Sequence, residues 1–407
     1  MTFRLFLSSL VLFVLFSSSF FGSVGASSEM WSKTYGNGTG HSLVETSDGG
    51  FAIAAAVYGG ADFWLVKTDA NGNMEWNQTY EAFSAHSLVE ASDGGYAIVG
   101  GNGLVKTDAY GNLEWNQTYG GPGVDLANSL IETSDGGYAI GGSFNPDYED
   151  PFGDRDFWLV KTDSYGNMEW NRTYRDSPSN YCSDLVETND GGYLLAGNTG
   201  RYLVEANIWI IKTDEQGNIE WDKRYGGREQ SGANSVVKTS DGGYALAGYL
   251  SQDFWLIKID GSGNIKWNQT YSKSGVEEAY SLVVTSDGGY ALAGITTGAI
   301  GKQSYIDSWM VKTDTSGNEI WSQTYGGTGD QYLYSLIETS NGAFALAGFK
   351  TSTYAGPPDL WLIKTDEYGN IPEFPLWTPT LLVLVVFAVT VVIYKRRLPK
   401  QATQQSY

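Results

Sequence analysis

The sequence predicts an all-β fold, a seven-bladed β-propeller made of four-stranded antiparallel blades. The first observation is an Asp-Gly-Gly turn that recurs at Asp48, Asp93, Asp135, Asp190, Asp241 and Asp287, with spacings of 42 to 55 residues up to an altered seventh copy at Asn341. The second is that each repeat holds four short runs rich in β-branched and aromatic residues, with no helical period. Units of this size must stack on their neighbours to bury their faces.

The four runs of the first repeat predict four strands in order, at 42–46, 51–55, 63–68 and 74–80. The first two runs are joined by Ser-Asp-Gly-Gly, and the last two by Asp-x-x-Gly-Asn at 69–73. Both linkers supply glycine where a tight reversal needs a positive φ. Each repeat is therefore predicted to form an antiparallel meander.

The third observation is an offset between two sets of strands. A fourth-strand copy, Trp31 to Tyr35, precedes the first repeat, and the chain leaves the pattern at Ile371 after a seventh third strand. We expect the N-terminal strand to complete the last blade, which closes the ring and removes an exposed edge.

Tryptophan follows the same period. Thirteen of the fourteen tryptophans occupy two repeat positions, in the third and fourth strands. This regularity favours a core between blades over a ligand-stacking platform. Blade two, where only 100–103 link its second and third strands, is expected to be the thinnest.

The two ends of the chain predict export and anchoring. Residues 1–26 have the pattern of a signal peptide, followed by the propeller at 27–371 and a short linker at 372–375. The uncharged apolar stretch 376–394 predicts a transmembrane helix, and its basic flank places the tail 395–407 in the cytoplasm. The sequence thus predicts a single-pass cell-surface protein with its propeller outside.

The charge, the cysteine content and the Asn-x-Thr sequons of the chain limit its partners and its covalent modifications. All 46 acidic residues but only 20 of the 25 basic ones lie in 27–374, a net charge of −26 that disfavours nucleic acid as a partner. The single cysteine, Cys182, permits no disulfide within the chain and is interpreted as a buried small apolar residue. Five Asn-x-Thr sequons in an extracellular domain predict glycosylation at Asn37, Asn77, Asn116, Asn171 and Asn268.

The repeat SLVETSDGGYA…DFWLVKTDxxGNxEWNQTYGG, over about residues 31–370, resembles a seven-bladed propeller repeat family of archaeal and bacterial secreted proteins. The segment Pro372-Glu373-Phe374-Pro375, with the apolar and basic residues after it, is similar to archaeal C-terminal sorting signals of the PEF type. The first resemblance implies an envelope location and no particular chemistry. The second implies removal of the tail in favour of a lipid anchor, although the ten residues after Arg397 exceed the usual length.

The sequence argues against an enzyme. Its two histidines, His41 and His86, share one repeat position whose other members are polar or aromatic, and no catalytic motif is visible. This position is interpreted as hydrogen-bonding near the mouth of the channel. The spacing Asp-x-x-Gly-x-x-x-Trp resembles the docking repeat of quinone-dependent dehydrogenases, which leaves a quinone-dependent enzyme as a minor alternative.

Acidic residues offer two further interpretations. The blade-three insertion carries five of them, which could bind calcium but are more simply a solvated loop: Asp147, Glu149, Asp150, Asp154 and Asp156. No cofactor is predicted apart from this calcium alternative. Five first-strand glutamates at one register are predicted to pair with the lysines of Lys-Thr-Asp: Glu45, Glu90, Glu132, Glu187 and Glu338.

Loop lengths locate the expected binding surface. The connections from second to third strands, and from each blade to the next, vary widely and lie on one face of a meander. Their aromatic residues are the predicted ligand contacts: Tyr58, Tyr148, Phe152, Tyr202, Tyr305 and Tyr354. The predicted function is non-catalytic binding of an extracellular protein or glycan; the alternative is a structural envelope component without a soluble ligand.

Overall fold

The computed structural model describes residues 30–59, 62–81, 84–121, 123–145, 154–176, 179–200, 206–227, 229–273, 275–300, 303–353 and 356–371. All regular secondary structure in these ranges is β, in twenty-seven strands. No helix in them is long and apolar enough to cross a membrane. The predicted signal peptide, linker, transmembrane helix and tail lie outside the described residues and stay predictions.

The strands form seven antiparallel four-stranded blades, of which two share the long strand β1 (Trp31–Glu45). Blade one continues with β2 (Phe51–Val57), β3 (Phe63–Thr68) and β4 (Met74–Tyr80). Blade two has β5 (Ser87–Glu90), β6 (Tyr96–Gly100), β7 (Gly103–Thr107) and β8 (Leu113–Thr118); blade three has β9 (Leu126–Glu132), β10 (Tyr138–Phe144), β11 (Asp156–Thr162) and β12 (Met168–Tyr174).

Blade four has β13 (Asn180–Glu187), β14 (Tyr193–Thr199), β15 (Asn207–Thr213) and β16 (Ile219–Tyr225). Blade five has β17 (Ser231–Lys238), β18 (Tyr244–Leu250), β19 (Asp253–Ile259) and β20 (Ile265–Tyr271); blade six has β21 (Glu277–Val284), β22 (Tyr290–Ile300), β23 (Gln303–Thr313) and β24 (Glu319–Tyr325). Blade seven has β25 (Gln331–Glu338), β26 (Phe344–Lys350) and β27 (Asp359–Lys364), with the first half of β1 as its fourth strand. The short strands of blade two match the prediction that it is the thinnest.

Strand β1 joins the last blade to the first. Its residues 31–34 pair antiparallel with β27, and residues 38–45 pair with β2 after a shift in register. The Trp361 indole N–H donates to Ser32 Oγ at 2.8 Å, and the backbone N–H of Leu43 donates to Ser335 Oγ of blade seven at 3.1 Å. The N-terminal strand therefore completes the last blade, as the offset predicted.

The core lies between the blades. Seven clusters of buried apolar residues each combine side chains of two successive blades, and one of them joins blade seven to blade one through Leu362, Trp31 and Ile53. The third-strand tryptophans lie in or against these clusters, and Trp158 and Trp309 are only 1% exposed. The predicted interblade core is confirmed, and Cys182 is buried within it.

A repeated contact connects each outermost strand to the next blade. In blade five, Trp267 packs on Gly317 in the Asp-x-x-Gly turn of blade six, where φ is +79° and an added Cβ would lie 2.6 Å from the ring. The Tyr271 hydroxyl donates to the Gly317 carbonyl at 2.6 Å. The same tyrosine contact occurs at all seven interfaces, made by Tyr35, Tyr80, Tyr119, Tyr174, Tyr225, Tyr271 and Tyr325.

The prediction for the first-strand glutamates is wrong. Each accepts hydrogen bonds from a serine in the turn of the preceding blade, as Glu90 does from the N–H and Oγ of Ser47. The lysine is held within its own blade, where Lys67 pairs with Asp48 at 2.8 Å and Glu75 at 3.0 Å. The third strand ends beside the Asp-Gly-Gly turn of the same blade. The lysine therefore pairs with the aspartate of that turn and not with a first-strand glutamate.

Candidate functional site

The connections between strands divide into two faces of the propeller. The turn face carries the Asp-Gly-Gly and Asp-x-x-Gly-Asn turns, and the loop face carries the β2–β3-type connections and the links between blades. On the turn face, Asp69 accepts the N–H groups of Asn71 and Asn73 and the amide of Asn73, all within 2.9 Å. These bonds confirm the tight turn that the Asp-x-x-Gly-Asn linker at 69–73 predicts.

The repeat position of the two histidines forms a ring where the innermost strands begin, near the loop face. Three of its members bond to a backbone carbonyl of the next blade. His86 Nδ1 lies 3.0 Å from the Ala127 oxygen, and the Asn128 amide donates to the Cys182 carbonyl at 2.8 Å. The interpretation of this position as hydrogen-bonding near the channel mouth is confirmed for these blades.

Aromatic side chains fill the other side of the ring. The His41 imidazole stacks on Tyr334 with centroids 5.2 Å apart, and Tyr280 lies 5.1 Å from Tyr334. Burial, with a smaller contribution from His86, lowers the pKa of His41 to about 4. His41 is therefore uncharged at neutral pH, and the ring presents aromatic and amide groups to a ligand.

Asp184 is a channel residue that the sequence reasoning missed. It occupies a position where the other six blades carry serine: Ser42, Ser87, Ser129, Ser235, Ser281 and Ser335. Its carboxylate accepts from the hydroxyls of Ser129 and Ser235 at 2.7 and 3.2 Å and from the N–H groups of Leu185 and Val236. Burial raises the Asp184 pKa, and these bonds offset part of the rise. Aligning the seven repeats would have shown one acid among six serines.

The loop face contains a pocket between blades five and six, with a volume of about 440 Å³. Most of its lining residues carry a polar group: Gln230, Tyr249, Ser251, Gln252, Val276, Glu277 and Glu278. The two-residue connection 251–252 forms one wall and is fixed at both ends. The Ser251 N–H donates to the Gln230 carbonyl, and the Glu277 N–H to the Gln252 carbonyl, both at 2.7 Å.

Ser251 has strained backbone geometry. Its φ of +57° is the only positive value at a non-glycine residue in the described ranges. The equivalent short connection of blade two has Gly101 there, with φ of +52°. A serine in this conformation costs roughly 1–3 kcal/mol, and strain of this kind concentrates at functional sites.

The two glutamates differ in their surroundings. Glu277 is 1% exposed, and its Oε1 accepts from Thr296 Oγ1 at 3.0 Å and the Gly275 N–H at 3.1 Å, whereas Oε2 has no partner among the described residues. Glu278 accepts from the Asn234 amide at 3.0 Å and the Tyr280 hydroxyl at 3.3 Å, and burial raises its pKa. Glu278 thereby connects the pocket to the ring at the channel mouth.

The structure tests few of the predicted aromatic contacts. Tyr58 lies on the loop face and is 59% exposed. Tyr305 lies in β23, but its side chain is outside the description. The remaining four fall outside the described residues: Tyr148, Phe152, Tyr202 and Tyr354. The aromatic ligand contacts therefore stay predictions.

The predicted calcium loop falls largely outside the described residues, which exclude Asp147, Glu149 and Asp150. Asp154 forms an ion pair with Arg175, whose Nε also lies 3.7 Å from Asp156. The described residues contain no group of three or more acids, histidines or cysteines arranged to hold a metal. Calcium binding at this loop stays a prediction.

The five sequon asparagines are exposed, and each lies on an outermost strand or, for Asn37, at the end of one: Asn37, Asn77, Asn116, Asn171 and Asn268. In two of them the side-chain oxygen accepts from the indole N–H of the third strand, from Trp64 at 3.2 Å and from Trp255 at 3.1 Å. The amide nitrogen of Asn77 also donates to Met74 Sδ at 3.3 Å. Glycosylation itself stays a prediction.

Comparison with known proteins supports the fold alone. No family model matches the sequence, and neither does any curated protein. The chain is similar in structure to a catalytically inactive virginiamycin B lyase from Staphylococcus aureus, with TM-score 0.55 and 11% identity over 82% of this chain and 99% of that one. It is also similar to the WD40 domain of Pan2 from Neurospora crassa, with TM-score 0.54 and 11% identity over 85% and 98% of the chains. One neighbour is an enzyme and the other is a WD40 domain, so the likeness extends to a propeller and not to an activity.

Proposed function

We propose that this chain is a cell-surface, membrane-anchored and non-catalytic propeller that binds an extracellular protein or glycan through its loop face. The pocket between blades five and six carries the proposal. It brings the Glu277 and Glu278 carboxylates, two glutamine amides and the strained connection at Ser251 together. Next to it lies the circle of repeat positions at the channel mouth, where Tyr280 contacts Tyr334. Polar acceptors next to aromatic surfaces suit a ligand rich in hydroxyl or amine donors.

The contacts of the turn face support placing the binding site on the loop face. Its turns repeat with almost the same contacts in every blade, and their polar groups are engaged within the blade or with its neighbour. Variable connections on a rigid scaffold are where binding residues concentrate in many folds. Stability therefore resides in the turn face, and recognition is proposed at the loop face.

The test compares the two faces in the full-length chain. Gln252→Ala and Tyr58→Ala change the loop face, while Tyr110→Ala removes an exposed tyrosine of the turn face and serves as a control. We expect a partner captured from native membranes or on a glycan array to be lost with the loop-face variants and kept with the control. Equal capture by all three variants would refute the loop-face site. Ordered lattices without any captured partner would favour the structural alternative.

A further inference from the structure

The two pocket glutamates form no ion pair with the described residues. No lysine or arginine of the described residues lies within ion-pair distance of Glu277 or Glu278. The nearby Lys273 contacts the Thr324 hydroxyl and lies 5.1 Å from the ring centroid of Trp309. The charge of Glu277 still acts on the Lys273 ammonium at longer range, so the described residues compensate the two carboxylates only in part.

Glu277 and its blade-seven counterpart Gln331 each keep one buried side-chain oxygen without a partner in the described residues, and of the two only Glu277 is an acid. A carboxylate that is 1% exposed and has an oxygen without a partner loses hydration that nothing in the fold replaces. The neighbouring carboxylate, Glu278, receives two neutral hydrogen bonds, and burial still raises its pKa. A cation at this place would satisfy the Glu277 oxygen and favour the charged form of Glu278.

Another blade shows that the fold does not require a carboxylate there. Gln331 begins the first strand of blade seven at the position equivalent to Glu277, and it is 4% exposed. An amide of the same shape is therefore compatible with this strand and its neighbours. The charge of Glu277 calls for an explanation other than folding.

We propose that the pocket binds a primary ammonium group, carried either by an amino sugar or by a lysine side chain. An ammonium group is a compact charge with three donors, which matches convergent carboxylate and amide oxygens better than a planar guanidinium does. The strongly acidic domain would also attract such a ligand over long range. This inference rests on the proposed function and specifies the chemistry of the same face.

The test uses the full-length chain and two matched pairs of probes at mildly acidic pH. Chitosan hexamer is compared with its N-acetylated counterpart, and a lysine peptide with the same peptide carrying acetyl-lysine. We expect the free amine of one pair to bind about tenfold tighter or more by calorimetry, since a hydrogen-bonded charge pair is lost on acetylation. The pair that shows the difference identifies the source of the ammonium group.

Substitutions assign the difference to the pocket. The double variant Glu277→Gln, Glu278→Gln should bind free and acetylated probes equally. The control double variant Glu215→Gln, Glu367→Gln removes the same charge from exposed turns of the other face and should keep the preference. If both double variants lost the preference for the free amine equally, the preference would come from net charge and not from the pocket. That result would overturn the inference.

Two further outcomes separate this inference from the proposed function. Wild-type protein that binds free and acetylated probes equally, or binds none of the four, refutes the ammonium site. Capture of a partner that still depends on Tyr58 and Gln252 would leave the loop-face function standing. Thermal melting of Glu277→Gln adds a second measurement: a binding role predicts an unchanged or higher melting temperature, whereas a structural role predicts a lower one.

Discussion

The turn face and the loop face are built from the same repeat but use it differently. On the turn face, each blade repeats a tyrosine-to-glycine bond, and nearly every blade repeats a buried lysine with its aspartate. On the loop face, connections differ in length from blade to blade, and one of them holds the strained Ser251 beside the pocket. Repetition thus marks contacts that hold the ring together, and departures from it mark sites with other roles.

The largest effect should come from the strand that joins the ends of the ring. Deleting residues 27–36 removes the Trp31 packing, the Tyr35–Gly72 hydrogen bond and the pairing with β27. Loss of a buried tryptophan alone costs about 3–5 kcal/mol, so we expect the free energy of unfolding to fall by at least about 5 kcal/mol. Chemical denaturation of the deletion variant measures the change.

The control for this deletion is Tyr58→Ala on the loop face. This side chain is 59% exposed, so its removal should change stability by less than about 0.5 kcal/mol. A deletion variant as stable as the control would show that the N-terminal strand does not hold the ring. The distinction between the two faces would then lose its main support.

An effect of opposite sign is expected at the pocket. Ser251→Gly should raise the free energy of unfolding by about 1 kcal/mol, because glycine adopts a φ of +57° without strain. The reciprocal Gly101→Ser in blade two should lower it by a similar amount. Thermal denaturation of both variants compares them. If Ser251→Gly lowered the free energy of unfolding, contacts of the serine would outweigh its backbone strain, and the strain would not indicate a functional role.

Much of the fold follows from the sequence because the repeat records it directly. The offset between Trp31 and the first repeat predicted the strand shared by blades seven and one, and the glycines of the turns predicted where hairpins reverse. The glutamate contacts were mispredicted because the partner of Glu90 is a serine one blade away. A strand register specifies which face a side chain occupies, but not which of two neighbouring blades it reaches.

The site could be predicted only in part. Variable loop lengths indicated the face on which the pocket lies, but the pocket itself depends on how Glu277 and Ser251, in different blades, approach each other after folding. The predicted aromatics were chosen for residue type, and only the side chain of Tyr58 lies in the described residues. The usable signal was position within the repeat: Asp184 and Ser251 each differ from the residues at equivalent positions.

The smallest predicted effect concerns the turn-face lysine pairs. Partial burial alone would raise the pKa of Asp287, but hydrogen bonds from Lys312, Thr285 and Gly289 outweigh it and hold the pKa at about 2. This depressed pKa means that the pair stabilises the fold above about pH 4 and that the contribution is lost as pH falls toward 2. Stability of the whole domain should decline over that range.

Blade seven provides the variant that sharpens this prediction, since Asn341 replaces the aspartate and leaves Lys364 without that partner. Asn341→Asp should stabilise the protein by up to about 0.5 kcal/mol at neutral pH, a small value because the equivalent Asp287 side chain is 58% exposed. The matched reversal, Asp287→Asn, should cost a similar amount. Both differences should shrink as pH falls toward 2, because the Asp287 carboxyl group is about half protonated at its pKa of about 2; melting curves at neutral pH and at pH 2 measure this. A shift from Asn341→Asp that was the same at both pH values would mean that the change acts through the shape of the turn and not through its charge.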